Sequence, residues 1–327
     1  MSVRILLASL AIVSVVPAFA QIDLAGQWAS RQHQDWEDRG PGPEAVDYLG
    51  LPINAEARAK ALAYQPSQIA MLERQCLYYT PVYADLGPQS LSIWRTTDPD
   101  SGETLAWNVS AAIDRAVLTI WMDGRPHPSK YAPHTFGGFI TGQWEGDVLT
   151  TYTTHMKAGY IRRNGVPSSD QATMTTHYRR HGDLLEMTEL VEDPAYLTEP
   201  FVVSRVWQLD PRTNTNPVPN PCSPEAEIPR LDGSGTIVPH YLPGKNTNIA
   251  DLTKWYSIPE EAILGGAETA YPEYRKKIKA QFVQPAKCVR YCCGWEDTAA
   301  AATLKDCVGR GFASDEEPQG RGSGAAR

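Results

Sequence analysis

Residues 171–192 read QATMTTHYRRHGDLLEMTELVE. Ala172, Met174, Thr176 and Tyr178 alternate with Thr173, Thr175, His177 and Arg179, and a second alternating run follows Arg180-His181-Gly182-Asp183. A period of two on both sides of a Gly-Asp pair predicts two antiparallel strands joined by a tight turn. A turn of four residues, 180–183, sets His177 opposite Glu186 and Met174 opposite Glu189. Ala172, Met174, Thr176, Tyr178, Leu185, Met187 and Val191 make the more apolar face, so it is expected to point inward. Glu189 falls on that face. Burial raises the pKa of a carboxyl group and suits it to proton transfer, unless it pairs with Arg205 on the next strand.

The same pattern extends outward from this hairpin. Strand-like segments are expected at 90–96, 104–112, 116–122, 135–144, 147–157, 171–180, 183–192 and 200–209, separated by Gly, Pro, Asp and Asn. A first strand is expected at Asp23-Leu24-Ala25-Gly26-Gln27-Trp28, a Gly-x-Trp opening of the lipocalin type in which Trp28 plugs one barrel end. Trp144-Glu145-Gly146-Asp147 is a hairpin turn, setting Phe139 opposite Tyr152 and Phe136 opposite His155. The expected fold is mainly β: an antiparallel, lipocalin- or calycin-like barrel with room for a single ligand. A helical insertion at 54–76 interrupts it, starting with Asn54 as N-cap and running to about Tyr64, with a second short helix at 66–76.

The remaining segments are read from composition. Arg4, the apolar run Ile5 to Val16 and Ala18-Phe19-Ala20 form a secretory signal, 1–20, with cleavage expected before Gln21. No later run is long and apolar enough to span a bilayer. The barrel domain is expected at 21–210, a Pro/Asn-rich linker at 211–250, a helical cysteine-containing extension at 251–313 and a disordered tail at 314–327. Six cysteines, Cys76, Cys222, Cys288, Cys292, Cys293 and Cys307, favour disulfides in an exported chain. Four of them staple the extension locally in this reading, leaving Cys76 and Cys222 as one pairing among fifteen connectivities. The expected compartment is the periplasm or the exterior. A net charge of −8 gives no electrostatic reason to bind nucleic acid.

Five of the seven histidines fall between Ile120 and Asp210. Asp123-Gly124-Arg125-Pro126-His127-Pro128 reads either as a charged, proline-stiffened rim or as ordinary turn chemistry ending a strand. Thr150-Thr151-Tyr152-Thr153-Thr154-His155 reads either as the lining of a wet cavity or as an exposed threonine-rich face. His134 is placed to approach His155. His177 and His181 are expected to face solvent. No H-x-H or H-E-x-x-H is present, so no metal and no cofactor are expected. There is also no G-x-S-x-G, Walker loop or G-x-G-x-x-G.

With Asp-Leu-Ala-Gly-Gln-Trp at 23–28, Met-Asp-Gly-Arg-Pro-His-Pro at 122–128, Gly-x-Trp-Glu-Gly-Asp-x-Leu at 142–149 and Glu-Asp-Pro at the head of 192–200, residues 22–210 resemble a family of exported bacterial β-rich proteins. The resemblance implies a β-rich domain and brings no established activity. Many members end soon after the last strand, so 211–327 is a departure.

Three functions fit these residues. One is cofactor-independent acid–base chemistry, of isomerase, hydratase or lyase type, on a small and largely apolar molecule. His155 and Glu189 would transfer protons, Tyr152 would donate a hydrogen bond, and Asp123, Arg125, His127, His134 and Tyr178 would bind the molecule. Another is a carrier with the same barrel and no chemistry. An envelope role, with 251–313 docking a protein partner, is a third. A convergent acid–base pair inside the barrel separates the first two.

Overall fold

The computed structural model describes residues 22–31, 48, 50–64, 72–84, 90–111, 116–162, 164–212, 224, 249–250, 253 and 259–281. The secretory signal, Cys222 as the proposed partner of Cys76, the stapled cysteine tail, the disordered tail and most of the linker lie outside these residues.

Among the described residues eleven strands run in chain order: β1 (Gly26–Ser30), β2 (Ser90–Thr97), β3 (Thr104–Ala111), β4 (Leu118–Trp121), β5 (Phe139–Glu145), β6 (Val148–Thr154), β7 (Gly159–Arg162), β8 (Val166–Ser168), β9 (Thr173–His181), β10 (Leu184–Glu192) and β11 (Phe201–Leu209). Nine close a barrel in the order β1-β11-β10-β9-β6-β5-β4-β3-β2, while β7 and β8 pair as a small separate sheet that the sequence reading missed. Eight of the barrel joins are antiparallel. The ninth, β4 with β5, is parallel and holds only Ile120↔Ile140 and Trp121↔Thr141. The barrel is therefore mixed, not antiparallel throughout. The reason is the connection 122–138, which carries the chain back so that β5 runs in the sense of β4.

The two expected hairpins exist, with registers two residues away from expectation. Glu145 pairs with Val148 and His181 with Leu184, so each turn is the two-residue Gly-Asp pair alone. Gly146 and Gly182 have φ of +64° and +58°, the left-handed backbone such turns require. Phe139 consequently faces Thr154 and Thr141 faces Tyr152, in place of the Phe139–Tyr152 pairing. His177 faces Thr188, Glu186 faces Arg179, and Met174 faces Val191. A shift of two keeps every side chain on its face, so the inward set is as read: Ala172, Met174, Thr176, Tyr178, Leu185, Met187 and Val191 are all buried.

The interior is filled from both ends. One cluster gathers Trp28, Leu91, Trp107, Val109, Ile120, Leu149, Tyr178, Leu185 and Trp207. Trp28 is fully buried, its indole N–H donates to the Leu24 carbonyl at 3.1 Å, and the Arg180 guanidinium sits 5.2 Å over its ring. The tryptophan is thus part of the barrel core. Burial of three such indoles, Trp28, Trp107 and Trp207, removes large apolar surfaces from water and dominates the stability of this end.

The second cluster joins Ile161, Val166, Met174, Val191 and Phe201 to Ile53, Ala57 and Ala61 of the insertion. Helix α1 (Ala55–Leu62) starts at Asn54, whose side chain accepts from Ala57 N at 3.0 Å. The Asn54 amide also donates to the Ala195 carbonyl at 2.8 Å, tying the helix start to the chain after β10. In place of a second helix over 66–76, the described part is a 3-10 turn at Leu72–Gln75, followed by α2 (Pro81–Ala84). Parts of the C-terminal extension pack on the same end. Ile263 is buried in the cluster, its carbonyl accepts from Tyr48 N, and Thr269 Oγ1 accepts from Gly50 N at 2.7 Å. The described helices here are Glu260–Ile263 and Pro272–Gln281, with a 3-10 turn at Ala267–Ala270. No helix among the described residues is long and apolar enough to cross a membrane.

Candidate functional site

The short strand β4 defines the site. Its neighbours β3 and β5 have eight and seven residues, whereas β4 has four. Beyond Trp121 the chain leaves the wall at Asp123-Gly124, and Gly142 to Glu145 of β5 have no strand on that side. A cleft of about 920 Å³ occupies the seam. One wall is Met122, Gly142, Trp144 and Thr151, another is Arg95 and Glu103 from the β2–β3 end, and Thr141 and Tyr152 form the outer floor. Gly142 is required where β4 and β5 close up. A Cβ there would lie 2.8 Å from Ile120 Cγ2 and 2.9 Å from Met122 Sδ.

The Asp123–Pro128 loop is both a rim and a turn. The Asp123 carboxylate accepts from the Arg125 guanidinium, 2.9 Å from Nε and 2.5 Å from Nη2, and also from the Arg125 backbone N–H at 3.2 Å. Arg125 in turn lies 3.6 Å over the Trp121 ring. This pairing holds the Asp123 carboxyl below the usual carboxylate range. The proline-flanked loop then carries His127 back over the outer face of β5 and β6.

There His127 is wedged between Phe139 and Tyr152, each ring 5.1 Å away. Both of its nitrogens are engaged: Nδ1 with Thr154 Oγ1 at 2.8 Å, and Nε2 with Thr141 Oγ1 at 2.8 Å. Thr154 Oγ1 also meets His155 Nδ1 at 2.7 Å, and His155 Nε2 donates to the Ser129 carbonyl at 2.9 Å. Five groups thus form one continuous chain from Thr141, on the cleft floor, to the Ser129 carbonyl. Burial, and then repulsion from His155, push the His127 pKa below its ordinary value, so the ring is neutral at neutral pH.

His134 joins the cluster as expected. Its ring stands 5.2 Å from His155, and its Nδ1 donates to the Met156 carbonyl at 2.8 Å. The approach does not come from the expected Phe136–His155 pairing. Thr135 instead forms a parallel bridge with Met156, and the strand begins only at Phe139, after Gly138 at φ +69°.

The acid–base pair read from sequence, His155 with Glu189, is not brought together. Alternation along β6 puts Thr151 and Thr153 inside, where both are buried, and Thr150, Tyr152 and Thr154 outside. Tyr152 is 42% exposed, on the outer face. His155 would follow Thr153 inward, but its left-handed backbone, φ +56°, turns it out toward Thr154 and Ser129. Glu189 is fully buried in the barrel, across from Thr176 on β9 and Val203 on β11. Arg205, also inward and buried, is its diagonal neighbour on β11. Tyr178 is a core residue of the Trp28 cluster, away from the cleft lining.

His177 faces outward and meets Thr150 Oγ1 at 3.0 Å, and His181 ends β9 on the surface. Sequence reasoning missed Thr141, Thr154 and the Ser129 carbonyl, whose roles depend on a loop contact across 27 residues. Among the described residues no group of three or more His, Cys, Asp or Glu side chains is placed to hold a metal. Comparison with known protein families, with curated proteins and with solved structures finds no match for this chain.

Proposed function

We propose that this chain is an exported, lipocalin-like barrel protein that binds a small molecule in the β4–β5 seam and carries out cofactor-independent acid–base chemistry on it, of isomerase, hydratase or lyase type. The observation that carries this reading is the hydrogen-bonded chain from Thr141 through His127, Thr154 and His155. A neutral imidazole, linked by one hydroxyl to a cleft, is suited to accept a proton near neutral pH. Two carbonyl-anchored histidines beside it, one on a left-handed backbone, fit a functional use of local strain.

The lining suggests the substrate class. Met122, Trp144 and Tyr152 offer apolar surface, while Arg95, Arg125 and the threonines offer polar contacts. The buried Trp144 indole N–H has no acceptor among the described residues. These features favour a molecule with an apolar body and a carbonyl or carboxylate end. In this reading Tyr152 and Arg125 orient the molecule, Thr141 passes its proton to His127, and Asp123 holds Arg125 in place. Glu189 serves the barrel interior and takes no part in the reaction.

Proton exchange tests the proposal without knowledge of the product. The protein is incubated in D2O with a panel of small ketones, enones and hydroxy acids, and loss of the C–H signals next to the carbonyl is followed by proton NMR. Exchange that depends on the wild-type protein and disappears in His127→Ala supports the acid–base reading. Binding to the cleft without exchange, detected by ligand line broadening and lost in Arg125→Ala, replaces it with the carrier reading.

A further inference from the structure

We infer that Thr154 and His155 are positioning residues that fix which nitrogen of His127 carries the proton, an inference that rests on the proposed role of His127 as the base. The argument starts at the Ser129 carbonyl. A carbonyl oxygen only accepts, so His155 Nε2, 2.9 Å away, bears the proton. In a neutral His155 the Nδ1 is then a bare acceptor. Its partner at 2.7 Å, Thr154 Oγ1, must donate its single O–H there. With that proton committed, Thr154 Oγ1 offers only lone pairs to His127, so His127 Nδ1 is the donor across 2.8 Å. The remaining His127 nitrogen, Nε2, is left with a lone pair, and it faces Thr141 Oγ1 at 2.8 Å.

Four hydrogen bonds therefore point one way, from Thr141 toward Ser129, with both imidazoles neutral and every group satisfied. Reversing any of the last three bonds would place a lone pair against the Ser129 carbonyl or the lone pairs of Thr154 Oγ1 and His155 Nδ1 against each other. The anchored end thus orients the far end. The basic nitrogen of His127 is held toward the residue that lines the cleft, and the Thr141 hydroxyl keeps its lone pairs for a donor on the bound molecule. When a proton arrives, Thr141 O–H passes to His127 Nε2 as Thr141 takes the proton from the molecule. The C–H bond next to the carbonyl breaks and its electron pair stays on the molecule as an enolate, Thr141 exchanges one O–H bond for another, and the new N–H bond leaves the positive charge on His127. The left-handed backbone of His155 belongs to the same device, since it turns the ring out of the barrel and onto Thr154.

Nitrogen-15 NMR of the full chain, recorded above the histidine titration range, reads the tautomer directly and needs no substrate. The expected result is an Nδ1–H tautomer for wild-type His127. Thr154→Val removes the acceptor and should move His127 toward the Nε2–H form, donating to Thr141. Thr154→Ser should restore Nδ1–H. If Thr154→Val does not fold, His155→Asn tests the same point, because asparagine tolerates left-handed backbone while the anchoring imidazole is lost. In proton exchange, Thr154→Val should lose about tenfold or more and Thr154→Ser should stay within about threefold of wild type. An Nε2–H tautomer in the wild type, or one that neither substitution changes, overturns the inference. The expected tautomers in a protein that exchanges no proton would leave this geometry standing and remove the proposed function instead.

Discussion

His127 and His155 are joined through one oxygen, Thr154 Oγ1, which lies 2.8 Å from Nδ1 of the first and 2.7 Å from Nδ1 of the second. Protonating His127 adds a partly desolvated charge close to a second imidazole, and its folded pKa accordingly lies below the ordinary histidine value of about 6.5. Between that lowered pKa and about 6.5 the unfolded chain binds more protons than the folded one, so stability rises with pH through the window. The contribution is complete above about 6.5 and is lost as the pH falls below it. Urea midpoints measured from pH 7.5 down to 5 should therefore fall on acidification, and His127→Gln should flatten this part of the profile.

Thr141→Val keeps the shape of the side chain and removes the hydroxyl between the cleft and His127. The fold should be retained, by circular dichroism and melting temperature, while protein-dependent proton exchange falls by at least about tenfold. An exchange rate equal to wild type would mean that the bound molecule meets His127 without Thr141.

Gly165, between β7 and β8, tests the packing of the insertion on the small sheet. It has φ +98°, and a Cβ there would lie 2.3 Å from the Tyr64 Cβ. Gly165→Ala combines backbone strain with a clash against main-chain-proximal atoms, and should cost about 2–4 kcal/mol in chemical denaturation. Gly146→Ala, in a turn with φ +64° and open space around it, should cost only about 1–2 kcal/mol.

Asp193, at the end of β10, is buried and accepts from Ser169 N and Ser169 Oγ at 2.7 Å each and from Ala195 N at 3.0 Å. Asp193→Asn puts an amide N–H₂ where acceptors are needed. A loss of about 2–3 kcal/mol is expected, with binding in the seam unchanged because the residue is remote from the cleft lining.

The strands and their inward faces were legible in the sequence because alternation survives any even shift of register. The two hairpins show this: a turn of four residues was read where Gly146-Asp147 and Gly182-Asp183 suffice, yet Met174, Tyr178 and Met187 still point inward. Asn54 as a cap was legible for the same kind of local reason. The His134–His155 approach was anticipated although the pairing behind it was not. The parallel join of β4 to β5 was not legible, since it depends on the path of residues 122–138 and not on any periodicity. The site shared that fate. His127 reaches Thr154 only through that path, and His155 leaves its strand's alternation through a backbone angle that composition does not reveal.

The two-rung parallel join has a consequence for the order in which the molecule assembles. β2, β3 and β4 form one run of neighbouring antiparallel pairs, and β5, β6, β9, β10 and β11 form another. Each run can zip from contacts near in sequence, whereas the β4–β5 join closes a loop for little ladder in return. The β4–β5 join is therefore expected to form late, with β1, which pairs with both β2 and β11, closing the other side. The histidine chain needs β5, β6 and the loop that follows β4, and its members come from one side of this join only.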